Sequence, residues 1–303
     1  WSFLLGAETL AALALRFDSD QDAKSDTPVD SLQEVWAQPQ APYPLDGIGF
    51  LSGNIYDLQG RFNLNGLVEQ NGNSDRDPNT PERGGAAPLD TADATKRLNT
   101  SQRILLRLLL SIDEAELSQT EAIQLVERIT DYIDADRTPR LDGAEDERYL
   151  SSAFPYRAAN RPIASVSELR AVDGITPELY KRIAPFLSVW PDDGSKINIL
   201  TAPAEVLAAL NEDDSLEPLS QQQVAQIIEL RTDGMLVDVD SFLESPLFSE
   251  DSTADLRAMV DVKSSWFLLD SRVDIADRER RLYSVLHRQG RAISIVHRTE
   301  GEL

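Results

Sequence analysis

The stretch WFLLDSRVDIADRERRLYSVLHRQGRAISIVHR, residues 266–298, decides how the rest of the chain is arranged. Aromatic and β-branched residues alternate with polar ones over Trp266 to Ile275, Arg280 to Gln289 and Ala292 to Arg298, the period of strands with one buried face. Gln289-Gly290 can reverse the chain between the last two. Three such strands do not make a stable sheet alone. A strand of matching period lies far upstream, Gly47 to Leu58, with Ile48, Phe50, Ile55 and Tyr56. Pairing between these two ends is therefore expected, with a first helix covered by the sheet, so that everything between them becomes an insertion. Long insertions cost little extra closure entropy.

The first helix is WSFLLGAETLAALALRF, rich in Ala and Leu with Gly6 as its one breaker, and is expected to end near Phe17. It is too short, and too polar at Glu8, for a membrane span, and it has no basic region of a signal peptide. Opening in mid-pattern at Trp1, the chain is read as a mature fragment with an anchor upstream. Residues 18–44 are polar and read as a connection, with a short helix around Ser31 to Trp36 and Trp36 as an anchor. Residues 69–100 read as an irregular excursion.

From Ser101 the period becomes helical. Ile104, Leu105, Leu108, Leu109 and Ile112 share one face, and Ile123, Val126, Ile129 and Ile133 share the next, opened by a Ser118/Glu121 capping box. Ser165 with Glu168, the Asp173-Gly174 turn and Thr176-Pro177 outline a helical hairpin. A second helical cluster follows, with Thr201 capping the helix of Val206 and Ser220/Gln223 capping that of Val224 and Ile227.

Between these helices lies DADRTPRLDGAEDE, residues 134–147. Asp134, Asp136, Asp142, Glu145, Asp146 and Glu147 face only Arg137 and Arg140 there. Carboxylates crowded into one folded turn repel each other unless a hard cation with many oxygen ligands joins them. Asp134, Asp136, Asp142, Glu145 and Asp146, with an oxygen from Thr138, are the candidate ligands for calcium, one or two ions. The spacing is not that of an EF-hand loop, and a solvated acidic turn is the alternative. Magnesium fits less well because it prefers a small octahedral shell.

Composition narrows function. The net charge of -23, with five lysines, repels phosphate-bearing partners, so nucleic acid is a poor match. No cysteine is present, and His287 and His297 match no zinc spacing. No nucleophile elbow, P-loop or dinucleotide fingerprint occurs. The chain is not expected to be an enzyme.

DLQGRFNLN at 57–65, ITDYIDAD at 129–136, LDGAEDERY at 141–149, PYRAANRPIASVSELRAVDGI at 155–175 and INILTAPAEVLAAL at 197–210 together resemble the large K-type minor pseudopilins of bacterial type II secretion systems. NILTA stands where related hairpin units often carry a second asparagine. The resemblance implies an α+β fold, a pilin-like N-terminal helix on an antiparallel sheet with a large helical insertion containing helix-hairpin-helix-like modules. It divides the chain into residues 1–100 and 263–303 for the pilin-like part, with helical modules at 101–196 and 197–262. It also implies calcium in the insertion and a place at the pseudopilus tip, nucleating or capping the filament during export of folded proteins. Expected partners are other minor pseudopilins, with secreted substrates and the outer-membrane channel beyond them. The location implied is periplasmic, anchored in the inner membrane by a segment absent here. Leu4, Leu5, Ala11, Ala12 and Leu15 are the candidate partner surface, with packing on the sheet as the alternative. A charge at Leu5 or Leu15 is expected to weaken assembly. The competing functions are a helix-hairpin-helix nucleic-acid-binding protein and a calcium-dependent extracellular hydrolase.

Overall fold

A computed structural model describes residues 1–68, 91–249, 252–276 and 278–301. Helix α1 (Ser2–Asp22) continues past Phe17, because the buried Asp18 accepts a 2.6 Å hydrogen bond from Arg288 that holds the polar last turn in place. The expected helix at Ser31 to Trp36 is instead a series of turns. Glu34 closes them by accepting from the Ser31 amide and the Trp36 indole, and Trp36 packs edge-on against Phe267 at 5.1 Å. Strands β1 (Tyr43–Pro44), β2 (Gly49–Asp57) and the short β3 (Phe62–Asn63) follow. Most of the expected excursion, residues 69–90, lies outside the described residues, while α2 (Thr91–Arg97) is helical where irregular chain was expected.

The insertion continues through α3 (Thr100–Ser111), α4 (Gln119–Ile133), α5 (Asp146–Leu150), α6 (Pro177–Ile183), β4 (Leu187–Ser188), β5 (Ile197–Asn198), α7 (Ala204–Ala209), α8 (Gln221–Thr232), α9 (Val239–Leu243), α10 (Ala254–Met259) and β6 (Val260–Asp261). The capping boxes of Ser118/Glu121 and Ser220/Gln223 form as expected, and Asn99/Gln102 adds another at α3. Ser165/Glu168 also forms a box, but it opens a 3-10 turn over Val166–Ala171 that stops before Gly174, whose φ of +93° disfavours any side chain there. Thr201 does not cap α7, which starts after Pro203. Its hydroxyl donates to Asp57 at 2.6 Å, which holds the side chain toward the sheet and away from the helix.

The chain then returns in β7 (Trp266–Ile275), β8 (Arg278–Gln289) and β9 (Ala292–Thr299). The sheet has the order β1-β2-β7-β8-β9 and is antiparallel throughout, with Gly49 opposite Ile275 and Asp57 opposite Phe267. The two ends of the chain thus share one sheet, as the alternation predicts.

Separate apolar cores follow from this topology. On one side of the sheet, Leu4, Ala7, Ala11 and Leu15 of α1 pack with Trp36, Leu51, Phe267, Leu269, Leu282 and Leu286. The helical insertion has its own, larger core, built on Ile104, Leu105, Val126, Ile129, Leu169 and Leu207 among others. A small third cluster, Leu58, Leu268 and Val285, lies on the opposite side of the sheet from α1.

Where the insertion leaves and rejoins the sheet, buried polar groups tie the two bodies together. The Asp57 carboxylate accepts from Thr201, from Asn198 at 3.1 Å and from Ser264 at 2.5 Å. Asn198 also donates to the Asp30 carbonyl at 2.9 Å, and Arg288 joins Asp18, Asp30 and the Ser264 carbonyl. Arg288 and these carboxylates are all buried, so each charge depends on the others for a partner.

Candidate functional site

Helix α4 carries the acidic loop because its apolar face is fixed in the insertion core, which places Asp134 at its C-cap in extended conformation. The chain then turns on Asp136, whose Oδ1 accepts from the Thr138 amide at 2.7 Å, an Asx-type turn. Arg140 folds back inward. Its amide donates to Asp131 Oδ2 at 3.0 Å, and its guanidinium bonds Asp131 Oδ1 and, at 2.5 Å, Asp134 Oδ2. Gly143 is required at the next bend, since a Cβ there would lie 1.8 Å from Asp131 Oδ2.

This folding brings three of the sequence candidates together. Asp134, Asp136 and Glu145 each offer a carboxylate oxygen, all within 4.8 Å of one another. Asp134 and Glu145 are 4% and 5% exposed, which puts their charges out of reach of most water. Asp134 Oδ1 and both oxygens of Glu145 are buried without a hydrogen-bond donor. Burial, and then the charges of Asp131, Asp134, Asp136 and Asp146, push Glu145 up to about 7. Burial likewise raises Asp134, against the pull of Arg140.

The other candidates lie elsewhere. Asp142 turns toward Arg97 and its amide donates to Glu127 at 2.7 Å, so it belongs to a neighbouring ion-pair group. Asp146 accepts from the Ala158 amide at 3.1 Å and pairs with Arg157. Thr138 is exposed, and its backbone amide makes the contact with Asp136. Asn160 was missed in the sequence. Its Nδ2 donates to the Asp136 carbonyl at 3.1 Å, while its Oδ1 is buried with no donor. The set of orphaned atoms in this cradle is acceptor-only: Asp134, Glu145 and Asn160 oxygens. Such groups fit an oxygen-seeking cation such as calcium, and they fit a soft or nitrogen-preferring metal poorly.

The inter-helix turn at Asp173-Gly174 presents a carboxylate held by Arg128 at 3.3 Å and Arg148 at 3.2 Å.

The face of α1 must be corrected. Leu4, Ala11, Ala12 and Leu15 are buried, and Leu4, Ala11 and Leu15 belong to the core between α1 and the sheet, while Leu5 is half-buried at its edge. The outward row is Phe3, Leu10, Leu13 and Phe17, exposed by 39%, 58%, 61% and 51%. Both rows are apolar at helical spacing, and only the sheet selects between them. Among the described residues no helix is long and apolar enough to cross a membrane.

A helix laid on an antiparallel sheet, with an apolar outward row and a helical head inserted between neighbouring strands, defines a pilin-like subunit with an enlarged head. Two models of the family described as "Type II secretion system (T2SS), protein K" match residues 60–192 and 197–263. The type II secretion system protein K of Pseudomonas aeruginosa is 34% identical over 95% of this chain and 76% of its own length. That of Pectobacterium carotovorum is 30% identical over 99% of this chain and 83% of its own. The fold matches a chain in the crystal structure of the GspK-GspI-GspJ complex from enterotoxigenic Escherichia coli, with a TM-score of 0.72, 24% identity, and coverage of 99% and 95% of the two chains. The chain belongs to the protein K family of type II secretion systems, and it is a minor pseudopilin. The nucleic-acid-binding and hydrolase readings find no support in these comparisons.

Proposed function

We propose that this protein is the tip subunit of a type II secretion pseudopilus, joined to other minor pseudopilins through the outward row of α1 and nucleating or capping the filament with its helical head. The observation that carries the reading is that row, four large apolar side chains left exposed on a helix whose other face is fully used. The neighbouring solved structure, a complex of GspK with GspI and GspJ, supports partners of this kind. Placement on the periplasmic side, anchored in the inner membrane, and contacts of the head with secreted substrates or the outer-membrane channel belong to the same reading.

The head is the part to which we assign calcium. Asp134, Asp136, Glu145 and Asn160 would hold the ion, and Arg140 would balance the Asp131 and Asp134 oxygens turned away from it. Bound there, calcium supplies positive charge to buried carboxylates that no donor reaches. The residues themselves fix the end of α4, the start of α5 and the segment around Asn160 relative to one another. The decisive experiment is co-purification with the I and J counterparts. Leu13→Asp should abolish it with the melting temperature unchanged, and retention of the complex by this variant would refute the assigned surface.

A further inference from the structure

On the side of the sheet away from α1, the head stands off and leaves a cleft of about 540 Å3, within the usual range for ligand pockets of about 300–1,000 Å3. Tyr56, Leu268 and Tyr283 contribute from the sheet, and Lys181 and Trp190 from the head. Arg61, half-buried, lines the cleft with them. Its guanidinium makes no hydrogen bond or ion pair with any described residue. The carboxylate acting on it, Asp57, is already held by Gln59, Asn198, Thr201 and Ser264.

The Arg61 guanidinium keeps access to the cleft and has no acceptor among the described residues, and the Trp190 indole N–H nearby is buried with no partner. Charge points the same way. Arg281 and Asp270 of the lining neutralise each other through two hydrogen bonds of 2.7 and 2.5 Å, which leaves Arg61 and the exposed Lys181 as the cations of the lining without an ion pair among the described residues. In a chain of net charge -23, this is a local positive spot with aromatic and aliphatic walls.

We propose that this cleft binds a peptide segment that presents a carboxylate beside an apolar side chain. The carboxylate pairs with Arg61, aided by Lys181, and the apolar group covers Leu268 and the Trp190 ring. A small free carboxylate would answer the charge but leave the apolar wall in water, so the volume and the wall select a peptide. The site is separate from the outward row of α1 and from the acidic cradle, so variants in those regions leave it intact.

The test uses two blocked peptides, acetyl-Phe-Glu-Leu-amide and its Gln counterpart, titrated into the purified protein by calorimetry. A charged hydrogen bond predicts that the Glu peptide binds about tenfold tighter or more. Arg61→Gln should erase the difference, and Lys181→Gln, on an exposed side chain that cannot disturb the fold, should reduce it. The Trp190 indole resonance, assigned by Trp190→Phe, should shift with the Glu peptide. Absence of binding by both peptides, equal binding of the two, selectivity that survives both variants, or sodium acetate binding as tightly as the Glu peptide would each overturn the proposal.

Discussion

Replacing Glu145 by Gln should have opposite effects on the protein with and without calcium. In calcium-free protein the two Glu145 oxygens are buried, lack any donor and sit among Asp134 and Asp136. An unsatisfied buried group costs about 1–3 kcal/mol, and more when charged. Glutamine removes the charge and adds two N–H donors that neighbouring carboxylates can accept, so the calcium-free variant should be more stable by about that amount at neutral pH. With calcium the order reverses. Free calcium at about one hundred times its dissociation constant stabilises a one-site native state by roughly 2.7 kcal/mol. At about 2–4 °C per kcal/mol for a chain of this order, that is a rise of roughly 5–10 °C, which the variant should largely lose. Differential scanning fluorimetry of chelator-treated and calcium-loaded samples reads both signs. Asp26→Asn, an exposed change away from the cradle, serves as the control. If wild type and Glu145→Gln gain equally from calcium, or if the calcium-free variant is the less stable of the two, the assignment of these oxygens to an ion is wrong.

The two faces of α1 should separate cleanly: Leu15→Asp buries a charge in the sheet core and should destabilise by about 3 kcal/mol or more in denaturant titration, whereas Leu13→Asp should leave the unfolding curve in place. Asn198→Ala should cost about 1–3 kcal/mol by the same assay, because its side-chain amide, which serves Asp30, Asp57 and Ser264 as donor and the Leu200 amide as acceptor, is lost and the Asp30 carbonyl and Leu200 N–H lose those partners. Burial, and next the Asp18 charge, push Glu34 up to about 8, while its unfolded value is near 4.5. Between those values the folded protein keeps a proton that the unfolded chain has lost, so this contribution to stability falls as pH rises, by at most about 1.4 kcal/mol per pH unit. Glu34→Gln should flatten the difference in melting temperature between pH 5 and pH 8, and an unchanged slope would show that Glu34 does not supply it.

The period of the side chains made the sheet and its long insertion legible, because one buried face writes its alternation directly into β7, β8 and β9. Capping boxes were legible for the same local reason. What the sequence hid was decided at a distance. The rows of α1 are equally apolar, so nothing local tells Leu15 from Leu13. Thr201 has the right type for a cap, but Asp57, remote in sequence, takes its hydroxyl. The loop 134–147 advertised its carboxylates, yet spacing could not reveal that Asp142 turns to Arg97 and Glu127, or that Asn160 comes in after α5 to complete the cradle. Motif resemblance singled out the loop as a unit without sorting its members.

Because Asp57 and Phe267 are directly opposite each other in neighbouring strands, the two seams of the insertion lie side by side. A tight hairpin could join them in place of residues 58–265, and the helix, Trp36 and the sheet would still share their own core. The same geometry lets a head be enlarged, exchanged or discarded while the helix-and-sheet half of the subunit keeps its shape. Any such graft inherits one obligation: it must bring partners for the Asp57 carboxylate, or leave a bare charge at the joint.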